Sequence, residues 1–217
     1  MEWPLLIAAG LGAGVLADRI ATVECRAGRP RRPLRSALVA SGTAVLFVLF
    51  GLRIGTGPVL PAYLWFGAVT VTLGLVDACE RRIPNRILLP GTAMAAALIV
   101  VGAILTAGPL IRPFAAGVSY FALLYLTGRL SRGGIGAGDV KLSFLLGMFA
   151  GYLSWAALVV AIVGAFLLGG IAAIVGLVIA HKKRADAIAF GPYLILGAYG
   201  GILAGVPVAA WYLSGWA

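Results

Sequence analysis

The sequence is a succession of apolar stretches, each about long enough to cross a bilayer, separated by short connections in which basic residues collect. A transmembrane helix takes about 20 predominantly apolar residues. Reading between charges and Gly/Pro punctuation gives spans from Trp3 to Val23, Ser36 to Leu52, Val59 to Cys79, Arg86 to Leu105 and Leu110 to Leu130. The stretch from Asp139 to Ala180 would be about 63 Å long as one helix, twice the hydrocarbon thickness, so it must break. Gly151-Tyr152-Leu153-Ser154 is the expected turn, leaving a short sixth helix and a longer seventh, and an eighth runs from about Ala189 to Leu213. Composition agrees: hydrophobic residues make up 62% and charged residues 11% of the 217, against about 25% charged in soluble domains. The expected fold is all-α and polytopic, with about eight transmembrane helices in one bundle. Residues 1–217 form a single domain in this reading, with no room for a separate soluble one.

A net charge of +10 would suggest a nucleic-acid partner in a soluble protein. Here the distribution of charge has another explanation, because Lys and Arg are retained on the cytoplasmic side of membrane proteins. With the N-terminus outside, the inner connections hold Arg26, Arg29, Arg31, Arg32 and Arg35; Arg81, Arg82 and Arg86; Arg129, Arg132 and Lys141; and Lys182, Lys183 and Arg184. Only Arg53 and Arg112 fall outside, and Arg19 lies within the first span. The alternation predicts both termini outside and no nucleic-acid partner. Met1 to Pro4 has no basic residue, so the first stretch reads as a retained helix and not a cleaved signal. The loop from Arg26 to Arg35 is a topology determinant that can touch anionic lipid. Trp211, Tyr212 and Trp216 read as an aromatic belt at the outer interface. Gly10 and Gly14, Gly147 and Gly151, and Gly197, Gly201 and Gly205 recur at four-residue spacing, which lets helix backbones approach closely in lipid.

Seven acidic residues remain to be weighed. Glu2 and Asp186 read as solvated, Glu24 and Glu80 as charge partners of neighbouring arginines, and Asp18, beside Arg19, as a residue that snorkels or pairs locally. Asp77 and Asp139 differ. The third helix runs inward and ends just after Asp77; the sixth starts from the same side just before Asp139, so both carboxylates are expected at one depth near the cytoplasmic face. Two close carboxylates share a proton: the ionised one takes a proton from water while the protonated one polarises a peptide carbonyl. That chemistry hydrolyses an amide with no metal and no cofactor. Gly136 and Gly138 leave a backbone without side chains for a substrate chain to approach, and Lys141 adds a cation. The same residues admit other uses. Asp139 can cap the sixth helix, Asp77 can pair with Arg81 at i+4, and the two together can form the proton or cation site of a transporter. Cys25 and Cys79 form no C-x-x-C pair, so their spacing indicates neither a zinc site nor a disulfide framework. His181, at the head of the Lys182-Lys183-Arg184 run, reads as interfacial.

Gly136-Ala137-Gly138-Asp139-Val140-Lys141-Leu142 resembles the GxGDxKL signature of the type IV prepilin peptidases, intramembrane-type aspartic proteases. Asp77 followed by Ile83-Pro84-Asn85 is similar to that family's first motif, and Phe190-Gly191-Pro192-Tyr193 to its FGP element, with Ala189 in place of a common proline. The motifs occur in family order across a core of about residues 60–205. The resemblance implies that Asp77 and Asp139 are the catalytic pair. It implies a bacterial inner-membrane peptidase whose substrate is a prepilin or pseudopilin, cut at the cytoplasmic side between a short basic leader and its hydrophobic helix. Long members carry two zinc-binding C-x-x-C pairs after the first helix and N-methylate the new terminus. Here that connection is only Glu24 to Arg35, with Cys25 alone. N-methyltransferase activity is therefore not expected, and the chain resembles the short, peptidase-only members that serve tight-adherence or related secretion pili.

Overall fold

The computed structural model describes residues 3–25, 33–131, 135–178 and 189–214. Eight α-helices occur among them: α1 (Trp3–Glu24), α2 (Pro33–Ile54), α3 (Leu60–Glu80), α4 (Asn85–Leu105), α5 (Ile111–Leu130), α6 (Ala137–Leu153), α7 (Trp155–Val178) and α8 (Gly191–Ser214). The described residues contain no strand. Six helices are long and apolar enough to cross a membrane: α1, α2, α3, α4, α7 and α8. The other two fall short for different reasons. At 17 residues, α6 is about 26 Å long, less than the hydrocarbon core, as its expected shortness requires. Helix α5 has Arg112 and Arg129 near its ends and Ser119 and Thr127 between them, so its apolar character is diluted.

The helices divide into two compact units, Met1–Leu110 and Ile111–Ala217. In the first unit α3 is central, packing against α1, α2 and α4. Its contact with α2 is aromatic: Phe50 meets Tyr63 edge-on at 5.7 Å between ring centroids and Phe66 at 6.2 Å, and all three rings are fully buried. The hydroxyls of Thr70 and Thr72 donate back to the carbonyls of Phe66 and Ala68 at 2.7 and 2.8 Å, which satisfies them within α3. Helix α1 closes on α2 where it has no side chain. A Cβ on Gly14 would lie 2.6 Å from the Cα of Ala40, and one on Gly10 would strike the Cα of Ala44. The glycine spacing therefore serves packing.

Asp18, in α1, is 3% exposed, and its partners are on the neighbouring helix. Arg35 Nε lies 2.9 Å from Asp18 Oδ1, and the Ser36 hydroxyl donates to Oδ2. The local pairing expected with Arg19 is replaced by a link between α1 and α2, because the close approach of these helices puts the start of α2 over the last third of α1. Removing one partner of a buried pair leaves the other uncompensated. Arg35→Ala, which strands the buried carboxylate, is expected to destabilise the protein by about 1–3 kcal/mol. Asp18→Ala is expected to have a smaller effect, because the Arg35 side chain is 30% exposed and can turn to water. Thermal unfolding of both variants in detergent checks the order.

In the second unit α6 is central, packing against α5, α7 and α8. Every residue from Leu145 to Gly151 is buried, so this stretch of α6 is enclosed by protein. Gly147 and Gly151 meet α5 at Ala116 and Gly117, and Gly197, Gly201 and Gly205 meet α7 at Ala157, Ala161 and Ala165. The expected break falls at Ser154, whose extended backbone ends α6 and whose hydroxyl accepts from the N–H of Ala157 at 2.9 Å, capping α7. The last carbonyls of α6 find a partner in Arg112, which donates to Gly151 at 2.9 Å, to Leu153 at 3.1 Å and to Tyr152. The charge assigned to a connection in the sequence thus acts as a helix C-cap, where a cation also complements the dipole. Trp211 and Tyr212 are exposed, as an aromatic belt requires; Trp216 and His181 lie outside the described residues.

Candidate catalytic carboxylates and their surroundings

Asp77 lies three residues before the end of α3 and is 4% exposed. After Glu80 the chain turns sharply. Arg81 adopts a left-handed conformation (φ 53°) and its N–H returns to the carbonyl of Asp77 at 2.8 Å, the bond pattern of an αL cap. Ile83-Pro84-Asn85 then starts α4. Pro84 is extended at the N-cap, and its carbonyl accepts from Ile87 and Leu88 at 3.1 and 3.0 Å. The motif thus fixes a tight α3–α4 turn immediately beyond the buried acid. Pro84 is buried, Ile83 half-buried and Asn85 exposed.

Two arginines of this turn are anchored by α1. Glu24, its last residue, is buried. Its carboxylate accepts from Arg86 at 2.6 Å and lies 3.9 Å from Arg82, while Arg82 also donates to the Glu24 carbonyl at 3.2 Å and lies 3.8 Å from Glu80. Glu24 therefore holds both sides of the Ile83-Pro84-Asn85 turn and is a positioning residue for it, a role that neighbouring arginines in sequence only hinted at.

In the second unit, Asp139 is the third residue of α6 and the acid of its first turn, where a carboxylate complements the positive end of the helix dipole. Asp139 and Gly138 are half-buried, and Gly136 and Lys141 exposed. The carboxylate folds back toward the N-cap: a Cβ on Gly136 would lie 3.1 Å from Asp139 Oδ2. Glycine at 136 leaves that carboxylate room. Phe190-Gly191-Pro192 starts α8. The Phe190 carbonyl accepts from Tyr193 and Leu194, both at 3.1 Å, and Pro192 occupies a first-turn position whose N–H would have no helical partner. The Phe190 ring packs on Phe166 of α7 at 5.8 Å and over Gly169, so this motif secures the α7–α8 packing. Asp77 with its turn belongs to the first unit, and Gly136, Gly138, Asp139, Lys141 and the Phe190 segment to the second. Each acid is carried by the central helix of its unit.

Residues 64–174, about half of the chain, match the model of the type IV leader peptidase family. The chain belongs to that family. Asp77 and Asp139 both fall within the matched residues, and Phe190-Gly191-Pro192 lies beyond them. Similarity to curated proteins extends over most of the sequence. A protein of Aeromonas salmonicida named prepilin leader peptidase/N-methyltransferase is 29% identical over 193 residues, covering 88% of this chain and 65% of that protein. Proteins of the same name from Aeromonas hydrophila and Pseudomonas putida are 28% and 26% identical, covering 88% and 86% of this chain and 66% and 65% of theirs. The chain thus spans about two thirds of the length of these curated relatives. No solved structure matches. Together with the six apolar helices, these relatives make this leader peptidase family member a bacterial membrane protein.

One cluster has no signature in the sequence. The cysteines 25 and 79, unremarkable by spacing, come together in the first unit with Glu80 beside them. Burial, and then a hydrogen bond shared with Cys79, push the Cys25 thiol up to about 11. No local motif carries that signal, because it arises from the contact of α1 with α3.

Proposed function

We propose that this chain is a membrane aspartic endopeptidase that removes the short basic leader from a prepilin or pseudopilin at the cytoplasmic face of the bacterial inner membrane. The observation that carries the reading is the burial of Asp77 near the end of an apolar helix. Keeping a carboxylate in such a place is costly in an apolar helix, and this one stands in the family's motif order with Asp139. Asp77 and Asp139 work as a dyad with one shared proton. The ionised carboxylate takes a proton from the attacking water, the protonated one polarises the scissile carbonyl, and the proton then passes to the leaving amine. Gly136 and Gly138 give the extended substrate backbone access to Asp139, Lys141 adds a cation beside it, and Ile83-Pro84-Asn85 and Phe190-Gly191-Pro192 hold the helix ends around the site.

The cytoplasmic assignment rests on the alternation of basic connections, and it agrees with the substrate's own topology. A basic leader stays in the cytoplasm by the same rule that orients this chain, so the junction between leader and apolar helix lies where the two acids are expected. The peptidase reading calls for no cofactor and no nucleic acid; membrane lipid and the substrate helix are the partners. N-methylation of the new terminus is not part of the proposed activity.

Purified chain reconstituted in proteoliposomes with a basic-leader, apolar-helix precursor is expected to release the leader as one fragment. Ion-coupled solute flux across the same vesicles, with the precursor left intact, would instead favour a transporter built on the two carboxylates.

A further inference from the structure

Cys25 is the first residue beyond α1 and Cys79 lies in the last turn of α3. Their sulfurs and a carboxylate oxygen of Glu80 all lie within 4.8 Å of one another. Cys25 is buried and Cys79 and Glu80 are half-buried. Two sulfurs and one oxygen are a poor match for magnesium or calcium, which take oxygen ligands. They suit a borderline-soft cation.

Geometry sets the next limit. With metal–sulfur bonds of about 2.3 Å, two sulfurs of a tetrahedral site stand about 3.8 Å apart, so any closure from the present spacing is about 1 Å at most, within the reach of a change in cysteine rotamer. Charge sets a third. Two thiolates and a carboxylate around a divalent ion leave one net negative charge, and Arg82, 3.8 Å from Glu80, stands beside it.

We propose that Cys25, Cys79 and Glu80 form a three-ligand site for a thiophilic divalent cation of the zinc class, clamping the ends of α1 and α3. The fourth position of the tetrahedron is left to water. The clamp fixes α3 two residues beyond Asp77, so its effect is on the stability of the first unit; it takes no part in peptide hydrolysis and does not depend on that reading. The bound ion displaces the thiol protons.

The test uses the full chain in detergent, reduced with a phosphine, stripped with a chelator and titrated with cadmium(II) in the absence of any peptide. A near-ultraviolet thiolate-to-cadmium charge-transfer band saturating at one equivalent is expected. Cys25→Ser and Cys79→Ser are each expected to abolish it, and Glu80→Gln to weaken binding by about tenfold or more. In the unaltered protein, zinc is expected to raise the unfolding temperature and to protect both thiols from alkylation, a readout that needs no variant to fold. A reduced protein that gives no band, a band undiminished in either serine variant, or cadmium affinity unchanged in folded Glu80→Gln would overturn the site.

Discussion

Asp77→Asn and Asp139→Asn are each expected to lower the rate of leader cleavage by at least about 10²–10⁴-fold, the range supplied by positioned acid–base groups. Asparagine keeps the shape of aspartate and removes only the titratable proton. Neither residue is expected to be needed for insertion into the membrane, because both sit at helix ends and not in the helix–helix contacts that glycine creates. The double variant should be no slower than the slower single one, since residues acting as one unit lose their effect together. Asp18→Asn is the informative contrast. That carboxylate is as buried as Asp77, but its partners, Arg35 and Ser36, tie two helices together, so its loss should lower the unfolding temperature while the folded protein still cleaves. Cleavage of a reconstituted precursor, with membrane insertion followed in parallel, separates the two outcomes. Retained cleavage in folded Asp77→Asn or Asp139→Asn would remove the dyad from the mechanism.

The features legible in the sequence are those set by one helix at a time. Apolar length placed the helices, and the impossibility of a 63 Å membrane helix placed the break that Ser154 makes between α6 and α7. Motif spacing put Asp139 in the first turn of α6 and Asp77 just before the α3–α4 turn. What stayed hidden depends on which helix faces which. Asp18 stands next to Arg19 in sequence yet pairs with Arg35, and Glu24 meets Arg86 across 62 positions. Cys25 and Cys79 have no shared pattern, and only the α1–α3 packing brings them together. The role of the arginines at the ends of α5 was hidden in the same way: Arg112 closes α6, and Arg129 lies in the last turn of its own helix. The chemistry proposed for Asp77 and Asp139 comes from residue type and motif order.

Gly147→Ala is expected to destabilise the second unit by about 1–3 kcal/mol or more, although alanine is the better helix former. A Cβ at this position would lie 2.8 Å from the carbonyl oxygen of Ala116, 2.9 Å from Tyr120 Cβ and 3.1 Å from Gly117 Cα. These are main-chain atoms or atoms bonded directly to them, so no rotamer change relieves the contact and α5 must move away from α6. Gly170→Ala supplies the control. Nothing lies within 4 Å of the Cβ it would add to α7, so only the propensity gain of about 0.5–1 kcal/mol remains and the variant should be slightly more stable. Unfolding of both variants in a graded denaturing detergent reads the opposite signs. The pair also bears on function. Because α6 carries Asp139 in its first turn and packs against α5, α7 and α8, its position is set by close packing along its buried stretch from Leu145 to Gly151. Displacement at Gly147 should therefore reach Asp139, about two turns away along a rigid helix, and slow cleavage beyond what the loss of folded protein explains. Equal stability of the two alanine variants would mean that α5 and α6 are not held at backbone contact.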